Sequence, residues 1–500
     1  MHALLGFTGF VGSYLREDLD PHSTEYFNSK NFGNVVGREF GDVYCACIPA
    51  VKWWANSNPV DDMVCVKKIV DTVKTIACER LILISTIDVH DMNRENQTES
   101  CEFPSTEAYG FNRKHAEDEL REFFGDRLFV FRLPALFGIG LKKNVLFDLM
   151  NDNRVENVNG NSCFQWYSLE WLYQDIQSSL DKKRYVTNLY SEPVETSMIV
   201  AKFFPLANID KSSARLCYNH SSDFGLKSSE HVLEGMTNYI RVADYVKYPN
   251  RMVISNMAWD PEYDDHAIFL LKRYGVRNVE IIPTKYETWE SLFSCAAPEF
   301  SRRFASHGIS VYSLQSVLYG VDGDFATNSV GMANHLEKVV SLCRSIGGSV
   351  LVVGSPSKRS DENCGPQIAD VLGAVQDGNH DIRVCLEPNS KEYGCRVGTT
   401  LDSCLDLRGS SEFFINFDTG NRIMEADRLP RESDVVGHCQ ISGPFLRPLR
   451  HRDYSTFQTD GTFGAICGLD GSIKVSLEVK VPVLGLGEQV RRFVSFMSQM

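Results

Sequence analysis

Short apolar runs alternate with amphipathic stretches along this chain, and the rhythm of the alternation changes halfway. In the first half the strand HALLG leads into a glycine-rich turn and the helix VGSYLREDL. GDVYCACIPA then reads as a buried strand, VDDMVCVKKIVDTVKTIAC as an amphipathic helix, RLILISTIDVH as a strand ending in hydroxyls, and AYGFNRKHAEDELREFF as a helix. Strand and helix in turn predict a parallel sheet wound on both faces. Between about 185 and 246 a strand and helices follow without a new motif, and a domain boundary is expected near Lys247-Tyr248-Pro249-Asn250. From Met252 eight apolar strands come at regular intervals: MVISNMAW, VEIIPTKY, ISVYSLQSVL, SVLVVGS, RVCLEPN, FFINFDTGN, VVGHCQISG and IKVSLEVK. Eight strand–helix units in one half of the chain predict a (β/α)8 barrel, with a doubly wound open sheet as the alternative. The fold class is therefore α/β, a Rossmann-like sheet over residues 1–247 followed by a TIM barrel over residues 250–500.

Length agrees with that division, since one hydrophobic core rarely organises 500 residues. A net charge of −14 argues against a nucleic-acid or anionic-membrane partner, which would select a basic face. No apolar run approaches the roughly 20 residues that cross a bilayer, and MHALLGFTGF lacks the basic stretch and long apolar core of a signal peptide. The 15 cysteines are irregularly spaced, with no CxxC pair. They read as reduced, mostly buried thiols, which fits a cytoplasmic protein. Cys45 and Cys47, two apart in one strand, are expected to point the same way.

The first candidate site is the turn Gly6-Phe7-Thr8-Gly9-Phe10-Val11-Gly12 between a strand and a helix. Glycines let the backbone approach a pyrophosphate, and the helix N-terminus supplies amide donors and positive potential. About 20 residues on, where an NAD site tends to carry an acid, stand Asn28, Ser29 and Lys30, which tolerate the extra phosphate of NADP. Glu25 fills the acidic role if the register differs. The cofactor expected is NADP or NAD.

GFTGFVG, the strand end Ser85-Thr86-Ile87-Asp88-Val89 and Tyr109-Gly110-Phe111-Asn112-Arg113 together resemble an extended short-chain dehydrogenase of the NAD-dependent epimerase/dehydratase family. The resemblance covers about half of the chain. It implies that Thr86 and Tyr109 handle a substrate proton and that residues 185–247 cover the substrate. A phenol takes up that proton only when a nearby cation lowers its pKa from about 10. The family places Lys four residues after the Tyr. Here that residue is Arg113, which could supply the field and ribose contacts, and Lys114 lies one step further round the helix.

In the second half, polar side chains gather where barrel strands end. Glu387 ends the fifth strand, Asp418 the sixth and Glu478 the eighth; His438 and Gln440 share one face of the seventh; Lys285, Gln315 and Ser355 end earlier strands. This half resembles the xylose isomerase-like sugar phosphate isomerase/epimerase family. The resemblance implies a divalent metal (Mn, Mg, Co or Zn) on Glu387, Asp418, His438 and Glu478, with Glu387 and Glu478 also moving a proton beside a carbonyl. The family's strand register puts its histidine at Gln440 and its glutamate at Gly443, which leaves His438 as the substitute or the metal absent.

Both resemblances together imply a bifunctional enzyme of carbohydrate metabolism. One half would oxidise, reduce, dehydrate or epimerise a sugar or sugar nucleotide, and the other would isomerise or epimerise a sugar, sugar phosphate or cyclitol by enolisation. The alternative is one active domain, with the other a binding or assembly module. Small sugars are the expected ligands, and the sequence leaves a homo-oligomer open.

Overall fold

The computed structural model describes residues 1–500 except 248–250, 296, 432–433 and 483–484. The chain forms two compact units, Met1–Ala243 and Asp244–Met500. Of the expected boundary residues, 248–250 lie outside the described residues. Among the described residues no helix is long and apolar enough to cross a membrane. All fifteen cysteines are free thiols.

The first unit is built on a six-stranded parallel sheet. Its strands are β1 (His2–Leu5), β2 (Thr24–Phe27), β3 (Glu39–Cys45), β4 (Ala77–Thr86), β5 (Leu128–Leu133) and β6 (Val186–Asn188), in the order β2-β1-β3-β4-β5-β6. Every neighbouring pair is parallel. Parallel strands are buried on both faces, which is why LFVFRL is inaccessible at all six positions. Two apolar layers cover the sheet, one including Val66, Val70, Leu83, Ala116 and Leu120, the other Tyr14, Leu15, Phe131, Leu172 and Ile176. The strand β5 and the helix Leu172–Asp181 had no counterpart in the pattern of apolar runs. RLILISTIDVH ends as a strand at Thr86 and turns into a single 3-10 turn, Ile87–Val89.

The second unit is a closed barrel of eight parallel strands, each hydrogen-bonded to the next: β7 (Met252–Ser255), β8 (Asn278–Ile281), β9 (Ser310–Leu314), β10 (Val350–Val353), β11 (Arg383–Leu386), β12 (Phe414–Asp418), β13 (Val436–Ile441) and β14 (Val475–Leu477). β14 closes on β7 through Met252–Val475 and Ile254–Leu477, so the open-sheet alternative is set aside. Two register shifts interrupt the ladder, between Val279 and Glu280 against β9 and between Ile415 and Asn416 against β13.

Candidate functional sites

In the first unit β1 ends at Leu5 and the chain turns at once into the helix Phe10–Asp18. Gly6 takes φ +87°, and a Cβ on Gly12 would stand 2.2 Å from the Gly6 carbonyl oxygen. Only glycine lets the two ends of the turn close on each other. Phe7 and Val11 are half-buried, Thr8 and Gly9 are exposed, and Gly9 caps the helix without any side-chain hydrogen bond. An uncapped helix start with open backbone in front of it has the shape and polarity for a phosphate. These residues therefore fit a dinucleotide. β2 ends at Phe27, and Asn28 then folds a short turn with Asn31, whose side chain accepts the Asn28 N–H at 2.7 Å; Ser29 and Lys30 are exposed. Glu25 lies inside β2 and receives the Arg38 guanidinium at 2.6 Å, so its carboxylate already has a cation as partner.

Thr86 and Tyr109 come together. Thr86 ends β4, and Tyr109 stands in the first turn of the helix Ala108–Phe124. The helix reaches the strand end because a Cβ at Gly110 would lie 1.8 Å from the Asp88 carbonyl oxygen. Tyr109 is buried; burial, then the Asp88 charge, push its phenol up to about 12, against the opposing effects of Arg113, Thr86 and Lys52. Arg113 lies over the Tyr109 ring at 4.1 Å, but its guanidinium is bound to both Asp62 oxygens and to the Pro49 carbonyl. Arg113 and Asp62 are both buried. Arg113 thus forms a buried ion pair through both terminal nitrogens, which leaves its buried Nε–H as the donor without a partner. Lys114 pairs with Asp118 on the outer face.

Three residues at this site were given no role by the sequence motifs, although one of them, Asp88, stands inside the strand-end motif. Lys52 begins the short helix Lys52–Ser57, Asp88 follows Thr86, and Tyr218 comes from the segment after residue 185. Lys52 Nζ donates to Asp88 Oδ1 at 2.7 Å and to the Tyr218 hydroxyl oxygen at 2.9 Å. Thr86 Oγ1 donates to Asp88 Oδ2 at 3.2 Å and accepts the Asp88 N–H at 3.2 Å. Cys45 and Cys47 do share a face at the end of β3, with their Sγ atoms 3.6 Å apart.

In the barrel, Glu387, Asp418 and Glu478 lie within electrostatic reach of one another. Burial and then Asp418 push Glu387 up to about 8. Burial pushes Asp418 up to about 6, against hydrogen bonds from Ser442 Oγ at 2.6 Å and the Asn421 N–H at 2.6 Å. Glu478 is held well above the carboxylate range by burial, then by Glu387 and Asp418. Buried Arg359 braces this end of β11, donating to the Glu387 carbonyl at 2.9 Å. Lys285 is turned to the Asn256 and Trp259 carbonyls at 2.8 and 2.7 Å. Ser355 follows Gly354 with φ +56°, and Gln315 Nε2 donates to Ser255 Oγ at 2.6 Å.

The strand-seven residues are committed elsewhere, to Glu280, which the motif reading passed over. Glu280 is fully buried, and its two oxygens face His438 Nε2 at 2.8 Å, Ser313 Oγ at 2.8 Å, Gln440 Nε2 at 2.9 Å, Ser476 Oγ at 3.0 Å and Gln315 Nε2 at 3.1 Å. Burial opposes the Glu280 charge, but His438 and the hydrogen bonds outweigh it and hold the carboxylate below its usual range. His438, expected to complete a metal site, turns its Nε2 to the Glu280 carboxylate inside the barrel. Gln440, at the position of the family's histidine, is spanned between Glu280 and Asn416. Among the described residues no group of three or more His, Cys, Asp or Glu side chains is placed to hold a metal ion. The donor set does not fit the metal that the resemblance implied.

No family model matches the chain, and no curated protein matches its sequence. Solved structures match its halves. The dTDP-4-dehydrorhamnose reductase of Yersinia enterocolitica is 11% identical, covers 48% of this chain and 98% of its own, and gives a TM-score of 0.39. The 3-keto-D-glucoside 4-epimerase of E. coli is 16% identical over 50% of this chain and 100% of its own, at 0.39. A zinc-bound IOLI protein is 12% identical over 50% and 96%, at 0.36. These are likenesses of fold.

Proposed function

We propose that the chain is a carbohydrate enzyme whose first unit binds NADP or NAD and interconverts a hydroxyl and a carbonyl on a sugar or sugar nucleotide. The observation that carries this reading is the juxtaposition of buried Tyr109 with Thr86 at the carboxyl end of β4, in the same parallel sheet whose β1 runs into the glycine turn. In open α/β sheets ligands bind at the carboxyl ends of the strands. A nicotinamide bound there supplies the hydride chemistry. Gly6, Gly9 and Gly12 seat its phosphates, and Asn28, Ser29 and Lys30 face its adenosine ribose. Thr86 Oγ1 holds the substrate oxygen, and the Tyr109 phenol takes or returns its proton.

The barrel has two readings. In one, Glu387 and Glu478 move a proton on the carbon beside a sugar carbonyl, giving isomerisation or epimerisation without a metal step. In the other it binds or assembles without chemistry, which the commitment of His438 and Gln440 to Glu280 favours. Full-length protein incubated with NADP or NAD and a panel of sugars and sugar nucleotides tests the first unit through nicotinamide absorbance. Hydrogen exchange from solvent deuterium into ketoses tests the barrel. Tyr109→Phe should lower turnover in the first assay by about 10²–10⁴-fold. Turnover untouched by that change would remove Tyr109 from the chemistry.

A further inference from the structure

We infer that Lys52 is the positioning cation of the first unit's proton-transfer site, a part that Arg113 does not play. The inference rests on the reading of that site given above. A buried phenol that must give up its proton needs a positive charge connected to it. The structure offers two cations. Arg113 is nearer the ring and its field on the phenol is the larger, but it is 3% exposed, and Asp62, the Pro49 carbonyl and the Tyr109 carbonyl take up both of its terminal nitrogens. It locks the helix Ala108–Phe124 to the helix Pro59–Lys74. Lys52 has about a third of its side chain exposed. It ends a chain of hydrogen bonds that runs from the Thr86 hydroxyl through Asp88 to its ammonium group, and on to the Tyr218 hydroxyl, and Thr86 and Asp88 both act on the Tyr109 phenol.

The placement of Lys52 is built. Asn56 of the same short helix accepts the Tyr109 N–H at 2.9 Å and donates to Glu107 at 3.2 Å, so the helix carrying Lys52 is tied to the helix carrying Tyr109. The groups facing Lys52 are Asp88 from the turn after β4, Glu107 at 3.6 Å from the start of the tyrosine helix, Met92 Sδ at 3.8 Å, and Tyr218. Burial works against its charge, and Asp88 with Tyr218 more than offset it, holding Lys52 above the usual lysine range. Asp88 is the charge that most opposes ionisation of Tyr109. Lys52 neutralises that carboxylate at its other oxygen. A proton taken from a substrate oxygen at Tyr109 therefore meets an Asp88 carboxylate already paired with a cation. Without Lys52 the same chain would present an uncompensated anion one hydroxyl away.

The test uses full-length protein with 3-fluorotyrosine placed at position 109, whose fluorine resonance follows ionisation of that phenol without substrate or cofactor. Lys52→Met should raise the midpoint by about one unit or more, a tenfold change in proton affinity. Lys52→Arg should leave it near the parent value. Adding Asp88→Asn to Lys52→Met should bring it back down, because the unbalanced anion is gone. The double substitution Asp62→Asn, Arg113→Gln removes a pair whose charges cancel and should move the midpoint little. Lys52→Gln serves where the methionine variant fails to unfold cooperatively. A midpoint indifferent to Lys52→Met and Lys52→Gln, or moved as far by the Asp62–Arg113 double substitution, overturns the inference. Failure of the parent to bind NADPH would instead strike the proposed function, independently of these midpoints.

Discussion

His90 and His220 lie ring to ring, centroids 4.7 Å apart, both nearly inaccessible in the first unit. Burial lowers His90 to about 2 and His220 to about 4, from the ordinary 6.5. Between those values and pH 6.5 the unfolded chain binds protons that the fold refuses, so stability rises with pH across that window and is lost as pH falls through it. Unfolding temperature measured from pH 7.5 down to about pH 4.5 should drop steadily for the first unit, and His220→Gln should flatten the profile. An identical slope in the variant would show that other groups govern the acid limb. Single residues were also where sequence reading reached its limits. Thr86 and Tyr109 stand at recognisable places in motifs, and they do meet. Lys52 and Tyr218 reach the same site from positions 34 residues before and 132 after Thr86, and no local pattern marks a side chain that matters only after the sheet has formed. Glu280 was hidden for another reason. In NVEI it reads as the polar residue of a half-exposed strand, and only the register shift beside it marks the place where the pairing of β8 with β9 slips.

At the scale of elements, close backbone approaches decide what can stand where. The helix Ala108–Phe124 sits against the end of β4 through Gly110, with no room for a Cβ. Gly110→Ala should destabilise the first unit by about 1–3 kcal/mol, as overpacking does. Gly33→Ala, where a Cβ meets nothing within 4 Å, should be nearly neutral. Equal unfolding midpoints for the two variants would contradict the packing described. In the barrel the corresponding constraint is polar. Glu280 gathers side chains from β9, β13 and β14 around one carboxylate. Glu280→Ala would leave those donors and an imidazole without their acceptor, and removal of one partner of a buried pair costs about 3–5 kcal/mol. Chelators should leave the barrel's unfolding temperature unchanged, since hydrogen bonds rather than a metal tie these strands. Unfolding at markedly lower temperature in EDTA would contradict that account.

For the whole molecule, the change of rhythm along the sequence was the most legible feature. Eight apolar runs became eight barrel strands, seven within the stretch expected and β8 starting one residue earlier, at Asn278, because a parallel barrel strand is buried on both faces and leaves a plain apolar signature. The sheet of the first unit was less complete in the sequence, since β5 follows its helix after only a 3-10 turn at Gly125–Arg127. Chemistry was less legible than architecture: motif positions identified the carboxylates of the barrel but not the partners that draw His438 and Gln440 away from them. The central claim is that the first unit holds a nicotinamide dinucleotide at the turn Gly6–Gly12. Its most direct test is titration of full-length protein with NADPH and NADH, parent beside Gly9→Val. The Gly9 backbone is extended and its position exposed, and a Cβ there meets only the Gly6 carbonyl oxygen, at 3.2 Å, so valine needs a small shift of the turn while projecting where the phosphates would lie. The account predicts saturable binding of at least one dinucleotide by the parent and its loss in a variant with unchanged unfolding temperature. Absence of binding in the parent, or equal affinity in the two proteins, would contradict it.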